Sequence, residues 1–306
     1  MDTRLKPHRI DRPQISTNRL RLLADLPVTE QHLDLAGIST SVLVGGEGAP
    51  VILLHGPGET SLWWMRIIPK LVNTHMVIVP DLPGHGSSKI VSDKLDTGLV
   101  FKWLSELIEQ TCPGPPVLVG NILGGSIAAR FCVNHGEQVD QLVLVNSLGL
   151  GKFRPAPSFA FGLFRFMIWS TEKNFDRFFP NCMYDVGELQ KGMGKKWEPF
   201  VKYNLECAND KERSDAMQFL MKTLGIPKIP DDELGKINVP TSLIWGRLDK
   251  ANKLKIAQSA SKKFGWPLYV IDKTRDDPKL ERPGAFVQAL YESVGYRRPH
   301  PNEDSH

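Results

Sequence analysis

Residues 118–125 read LVGNILGG: two apolar strand residues enter Gly120, and after Asn121, Ile122 and Leu123 come two further glycines and the helix-compatible run SIAARF. A strand that turns at once into a helix brings backbone against backbone, and glycine is the residue that leaves room for it. The middle residue of this turn is Ile122, whose side chain can neither attack, donate nor accept. The stretch therefore has the build of a presenting turn and presents a hydrocarbon.

Outward from this turn, short apolar runs recur: VILLH (51–55), MVIVP (76–80), PVLVG (116–120), LVLVN (142–146), TSLIWG (241–246) and PLYVI (267–271). Helix-length segments at 98–111, 124–135, 252–264 and 284–294 alternate with them. Continuous apolar runs separated by helices predict strands buried on both faces of a mostly parallel sheet. HLDLAG followed by ISTSVLVGG predicts a hairpin over 32–45. The alternation stops between Gly149 and Gly235, where the pattern is helical throughout, so a helical insertion is expected there.

Bulk properties narrow the functions. A chain of 306 residues, 41% hydrophobic and 24% charged, suits one large α/β domain with an insertion. The net charge of +4 is spread along the chain, which argues against nucleic acid as a partner. Cys112, Cys132, Cys182 and Cys207 form no CxxC pair and read as free thiols in a reducing compartment. The opening MDTRLKPHRIDRPQ lacks the apolar core of a secretory signal, so a cytoplasmic location is expected. The most membrane-like run, FAFGLFRFMIW (159–169), is too short for a membrane span and carries Arg165; a helix covering a pocket fits better. GGEG (45–48) lacks the helix and lysine of a phosphate loop, and the histidines are too dispersed for a metal cluster, so no cofactor and no metal are expected. Oligomeric state is not readable from the sequence.

Six landmarks in order, LLHGPGE (53–59), VPDLPGHGSS (79–88), LVGNILGG (118–125), LVLVNSLGL (142–150), IWGRLD (244–249) and DDPKLERPGAF (276–286), resemble the α/β-hydrolase superfamily in its cap-bearing branch of esterases, epoxide hydrolases, dehalogenases and carbon–carbon bond hydrolases. The likeness spans roughly residues 30–295. It implies an α/β-hydrolase fold: a mostly parallel eight-stranded sheet flanked by helices, with a helical cap after strand 6. It implies an N-terminal extension (1–29), a core (30–149 and 236–295), a cap (150–235) and a flexible tail (296–306).

The resemblance also implies a nucleophile on the strand-to-helix turn, an acid after a later strand and a histidine after the last one. Ile122 stands at the nucleophile position, and Asp249 in WGRLD matches the acid. Where such chains carry GHxPxxExP, this one has RDDPKLERP, with Asp276 at the histidine position. None of the eight histidines lies between His135 and His300, and His300 sits in the tail. At the oxyanion and elbow region, formed by Gly56, Pro57, Gly58, Asn121 and Leu123, Pro57 has no N–H to offer. His55 is the better placed of His55 and His85 for general-base work, although both belong to motifs that also serve turns and packing. Ser87, Ser88, Ser126 and Ser147 are hydroxyls near this face.

Two carboxylates, Asp249 and Asp276, facing each other in an apolar cavity cannot both ionise easily, so one is expected to serve as a general acid. The competing reading is that Asp249 is held by backbone N–H groups and that Asp276 and Asp277 cap the final helix. Trp63, Trp64, Asn146, Trp169, Arg247 and Arg275 are expected around the pocket, under an aromatic-rich lid suited to an apolar small molecule. Three functions stay open at this point. One is a non-canonical lyase, cyclase, isomerase or atypical hydrolase acting through carboxylates, and another is a non-catalytic binder or receptor. The third is a structural protein with a vestigial pocket.

Overall fold

Strands that are buried on both faces must be covered by helices on both faces, and the central strands here are of that kind. The computed structural model describes residues 16–92 and 94–296. Its strands are β1 (Thr29–Leu35), β2 (Ile38–Gly45), β3 (Ala49–Leu54), β4 (His75–Pro80), β5 (Lys89–Ile90), β6 (Val117–Asn121), β7 (Gln141–Val145), β8 (Thr241–Gly246) and β9 (Leu268–Ile271). Every residue of β6 and β8 is buried. Along β3, Val51 and Leu53 join an apolar cluster with Trp64 and Phe286, while Ile52 and Leu54 join another with Trp103 and Phe131. Alternate residues of one strand thus feed two cores, one on each face.

The sheet order is β1-β2-β4-β3-β6-β7-β8-β9, parallel from β4 to β9 and antiparallel where β2 meets β1 and β4. The expected eight strands form this path. The ninth, β5, is a two-residue pairing on β2 that the polar sequence around it conceals. The hairpin forms as β1 and β2. Helices α1 (Thr17–Leu23), α2 (Ile68–Leu71), α3 (Thr97–Thr111), α4 (Leu123–His135), α11 (Leu254–Phe264), α12 (Pro278–Glu281) and α13 (Pro283–Ser293) accompany the sheet. Between β7, the sixth strand of the path, and β8 lie α5 (Pro157–Ile168), α6 (Glu172–Cys182), α7 (Val186–Met193), α8 (Trp197–Ala208), α9 (Lys211–Leu220) and α10 (Asp231–Leu234). No described residue of this insertion is in a strand.

The part of the expected N-terminal extension that is described, from residue 16, packs on the core; residues 1–15, and the tail from 297 with His300, lie outside the described residues. Leu22 and Arg19 of α1 are fully buried. The Arg19 guanidinium pairs with Glu30 at 2.7 Å and with Asp81 at 3.0 Å, and donates to the Tyr203 hydroxyl on α8 at 3.0 Å. Burial alone would raise the Asp81 carboxyl, but Arg19 and the N–H groups of Ser61 and Ser87 outweigh it and hold the group below its ordinary value. One arginine thereby joins α1, the sheet and the cap.

Removing one partner of a buried pair leaves an uncompensated charge, so Arg19→Met is expected to cost about 3–5 kcal/mol in urea unfolding. Asp81→Asn added to it should recover part of that loss. A cost within about 0.5 kcal/mol for the single variant, the range of ordinary surface substitutions, would show that the network does not hold α1 in place.

Candidate active site

Parallel register brings the carboxyl ends of β3, β6 and β7 level: Leu54 pairs with Gly120 and Asn121 with Val145. His55, Ile122 and Asn146 therefore emerge side by side. Ile122 has φ +47°, an uncommon backbone conformation for a β-branched residue. It is held by its own N–H on Val145 at 2.9 Å and by its carbonyl accepting from Leu148 at 3.0 Å. The glycines make this approach possible: a Cβ on Gly120 would lie 2.4 Å from the Gly124 carbonyl oxygen, and one on Gly124 would lie 2.5 Å from that of Leu54. The turn is fully built, and Ile122 lines the cavity above it.

That cavity encloses about 200 Å³ between the sheet and the cap. Its apolar wall comes from Ile122, Leu148 and Trp63 below and from Phe159, Phe166 and Met217 above. One side is charged. Asp276 and Asp277, at the start of α12, both line it, as does Glu59. Lys279 stands behind them, fully buried, with its ammonium against Asp277 and 3.3 Å from Glu59. The same ammonium lies 4.9 Å from the centre of the Trp64 ring and 5.7 Å from that of Trp63, an added cation–π attraction.

One cation cannot neutralise this set. Burial, then the neighbouring charges of Asp249, Asp277 and Glu281, push the Asp276 carboxyl well above the carboxylate range. Burial also raises Asp277, while Lys279 pulls it back. Asp276 Oδ1 and Asp277 Oδ2 have no hydrogen-bond partner. Both carboxyls are held well above their ordinary value; among the described residues Asp276 has no cation in contact, whereas Asp277 has Lys279.

The sequence-expected residues separate on inspection. Asp249 is buried behind the cavity wall, with Oδ1 accepting from Ala251 at 2.7 Å and Asn252 at 2.8 Å, and Oδ2 from Asn146 at 2.6 Å. Burial pushes it up to about 7 against the pull of those donors. It acts on Asp276 through charge and does not face it across the pocket. The capping alternative also fails for Asp277, whose side chain makes no cap hydrogen bond.

His55 is corrected as well. Its Nδ1 donates to Gly56 O at 2.8 Å and its Nε2 accepts from Leu82 N–H at 2.9 Å, so both ring nitrogens serve the backbone. Burial pushes its pKa down to about 3. His85 is the histidine on the cavity wall: its Nδ1 bonds Pro83 O at 3.1 Å, and its Nε2 has no partner. Among the other expected residues, Trp63 lines the cavity while Trp64 is fully buried in the core beneath. Asn146 supports Asp249 from behind. Arg247 pairs with Asp272 on the surface, and the Arg275 guanidinium ties Pro180 and Met183 carbonyls of the cap. Trp169 projects outward from the end of α5. The hydroxyls of Ser88, Ser126 and Ser147 each donate to a backbone carbonyl.

Glu59 and Lys279 were overlooked in the sequence although both stand inside quoted landmarks; a lone lysine near two aspartates looks like a solvated face. Glu59 also alters the oxyanion region. Its carboxylate accepts from Gly56 N–H at 2.9 Å and from Asn121 Nδ2 at 3.4 Å, so a negative group is held beside Pro57 and Gly58. Leu123 is buried beneath the turn, away from the cavity lining. The thiol of Cys182, which also lines the cavity, is pushed well above its ordinary value by burial and by Asp276 and Asp277, so it stays protonated and weakly nucleophilic.

The raised Asp276 has a measurable consequence. Below about pH 4 the folded and unfolded chains both carry its proton; above that, the unfolded chain releases a proton that the folded chain keeps, and stability falls. Asp276→Asn never ionises, so its stability relative to the parent should grow with pH above about 4, by up to about 1.4 kcal/mol per pH unit. Taking the difference removes the titrating groups that do not interact with Asp276. A difference that is flat between pH 4 and 8 would place Asp276 at an ordinary carboxylate pKa.

The geometry agrees with the comparisons. A pimeloyl-[acyl-carrier protein] methyl ester esterase of Aeromonas hydrophila is 24% identical over 273 residues, 84% of this chain and all of that one. A 2-hydroxy-6-oxononadienedioate/2-hydroxy-6-oxononatrienedioate hydrolase of Klebsiella pneumoniae is 28% identical, covering 65% of this chain and 70% of its own length. The solved structure of a 2-hydroxy-6-oxo-6-phenylhexa-2,4-dienoate hydrolase from Rhodococcus sp. strain RHA1 superposes with a TM-score of 0.75 at 25% identity, over 88% of this chain and 99% of that one. The sequence pattern of the alpha/beta hydrolase fold matches residues 49–283, and the chain belongs to that family.

Proposed function

We propose that this chain is an enzyme of the alpha/beta hydrolase fold that works by proton transfer rather than through a covalent serine intermediate. Its named relatives are a methyl ester esterase and hydrolases of 2-hydroxy-6-oxo dienoates and related acids, which supports an enzyme on this scaffold. The observation that carries the finer reading is the pair of acidic residues, Asp276 and Asp277, that line a largely apolar cavity, each with one buried carboxyl oxygen that has no hydrogen-bond partner among the described residues. Buried polar atoms ordinarily find partners, and carboxyls kept without them at a cavity fit groups retained for chemistry.

Ile122 at the apex of the turn has no atom with which to attack a carbonyl. Glu59 beside Pro57 opposes the negative charge that acyl transfer develops, whereas proton transfer does not require that charge to accumulate there. Asp276, held neutral, donates its proton to an oxygen or unsaturated carbon of the substrate. An acceptor on the same cavity, Asp277 Oδ2 or His85 Nε2, takes a proton from a neighbouring position. The substrate keeps its atom count in an isomerisation or cyclisation; in a dehydration the Asp276 proton leaves with the hydroxyl as water; in each case the proton taken up by the acceptor passes back to Asp276 and closes the cycle. Catalysis by a lyase, cyclase or isomerase of this kind needs neither the nucleophile nor the histidine of a triad.

The cavity sets the substrate class. An apolar cavity of 150 Å³ holds a benzene ring, so about 200 Å³ suits a single-ring or similarly compact apolar molecule with one polar end. The apolar part packs on Ile122, Leu148 and Phe166, and the polar end meets Asp276.

Incubating the parent chain, Asp276→Asn and Ile122→Ser with a metabolite extract of the source cells, and following bound and transformed species by mass spectrometry, tests this. The parent is expected to convert a compound that Asp276→Asn binds but converts at least about 100-fold more slowly, the usual span of general acid–base catalysis. Ile122→Ser should weaken binding of the substrate's apolar part without abolishing conversion, and a fluorophosphonate probe should leave the parent unlabelled. Retention of the same unchanged compound by parent and variant alike would make the protein a binder; labelling of a serine would restore covalent hydrolysis.

A further inference from the structure

Helix α5 is apolar on every side: of its twelve residues only Arg165 is charged. A helix of that kind is expected to be buried all round. This one is covered on one face only. Phe159, Leu163 and Phe166, at helical spacing, line the cavity and pack towards α6. Phe161, Phe164 and Ile168, on the opposite stripe, are 69%, 63% and 49% exposed, and Trp169 at the helix end is 60% exposed. Met167 belongs to both sets: it lines the cavity and is itself half exposed. The cavity therefore reaches the surface along the edge of this apolar strip.

The chain that carries and follows this helix is mainly cationic: residues 152–177 hold Lys152, Arg154, Arg165, Lys173 and Arg177 against Glu172 and Asp176, and α6, which contributes Lys173 and Arg177, packs on α5. Four large exposed apolar side chains on a segment with a cationic excess combine the two attractions that hold an interfacial helix on an anionic bilayer. At 12 residues α5 cannot cross a bilayer, and among the described residues no helix is long and apolar enough to do so. It is long enough to lie in the plane of one leaflet's surface.

We propose that α5 docks this protein on an anionic lipid surface, with Phe161, Phe164, Ile168 and Trp169 in the acyl boundary and the cavity mouth at Met167 turned toward the lipid. An apolar ligand then passes between bilayer and cavity without crossing water. The docking itself does not depend on the acid–base reading of Asp276, because no residue of the strip belongs to that site.

Co-sedimentation with vesicles tests the proposal, using phosphatidylcholine alone and phosphatidylcholine with phosphatidylglycerol. The full-length parent is expected to bind the anionic vesicles at least about 10-fold better than the neutral ones, and less well as salt rises. The triple variant Phe161→Ser/Phe164→Ser/Ile168→Ser should lose most of that binding while keeping the parent's unfolding midpoint, since the three side chains are largely exposed. Lipids brominated in the acyl chain should quench the parent's fluorescence more than that of Trp169→Phe. Failure of the parent to sediment with either vesicle would overturn the proposal, as would binding indifferent to the triple variant. A concentration-dependent dimer in analytical ultracentrifugation that the triple variant abolishes, with no vesicle binding, would give the strip to a second copy of the chain instead.

Discussion

The buried ammonium of Lys279 is the constraint on which the acidic side of the cavity depends. Lys279 is enclosed by Trp63, Trp64, Asp277 and Glu59, and the other carboxyls nearby, Asp276 and Asp249, have no cation of their own. In a medium of low polarity a carboxylate without a partner takes a proton rather than remain charged. The position of Lys279 therefore sets Asp277 apart from Asp276, and the proposed acid role of Asp276 rests on that division. Everything else at the site arranges itself around that division: Glu59 satisfies the N–H of Gly56, Asp249 is tied to its own loop, and Asp276 faces the cavity.

The scaffold supplies precise placement independently of the chemistry. The close contacts of Gly120 and Gly124 fix the turn whether its apex carries a hydroxyl or, as here, the side chain of Ile122. Retention of this turn is a packing requirement of β6 against α4 and β3, so it says little about activity. What changes function on such a frame is the side chains at its open end, and here these are apolar at the apex and acidic on the flank.

Much of the fold was legible in the sequence because parallel strands buried on both faces leave continuous apolar runs. TSLIWG marks β8 to the residue, and the runs for β3, β4, β6, β7 and β9 miss their ends by one or two residues. The site was less legible. Asp276 could be placed from its motif, and it does line the cavity. The roles of Lys279, Glu59 and His85 depend on which side chains meet across more than 190 positions of chain, as Lys279 meets Glu59 over 220. Local pattern carries no trace of such a meeting. Trp169 and Arg247 failed for a related reason: sequence adjacency to a pocket loop does not say which way a side chain leaves the backbone. Arg19 was hidden because a charged opening segment looks like a solvated one, until Asp81 is seen waiting beneath it.

The protonation state of Asp276 at neutral pH is the point on which the account stands. Infrared difference spectroscopy between the parent and Asp276→Asn at pH 7, with the carbonyl stretch of a protonated carboxylic acid as the readout, measures it without any knowledge of the substrate. The account requires that band in the parent and its loss in the variant. A difference spectrum showing only ionised carboxylate bands would contradict it, and with it the assignment of Asp276 as the acid.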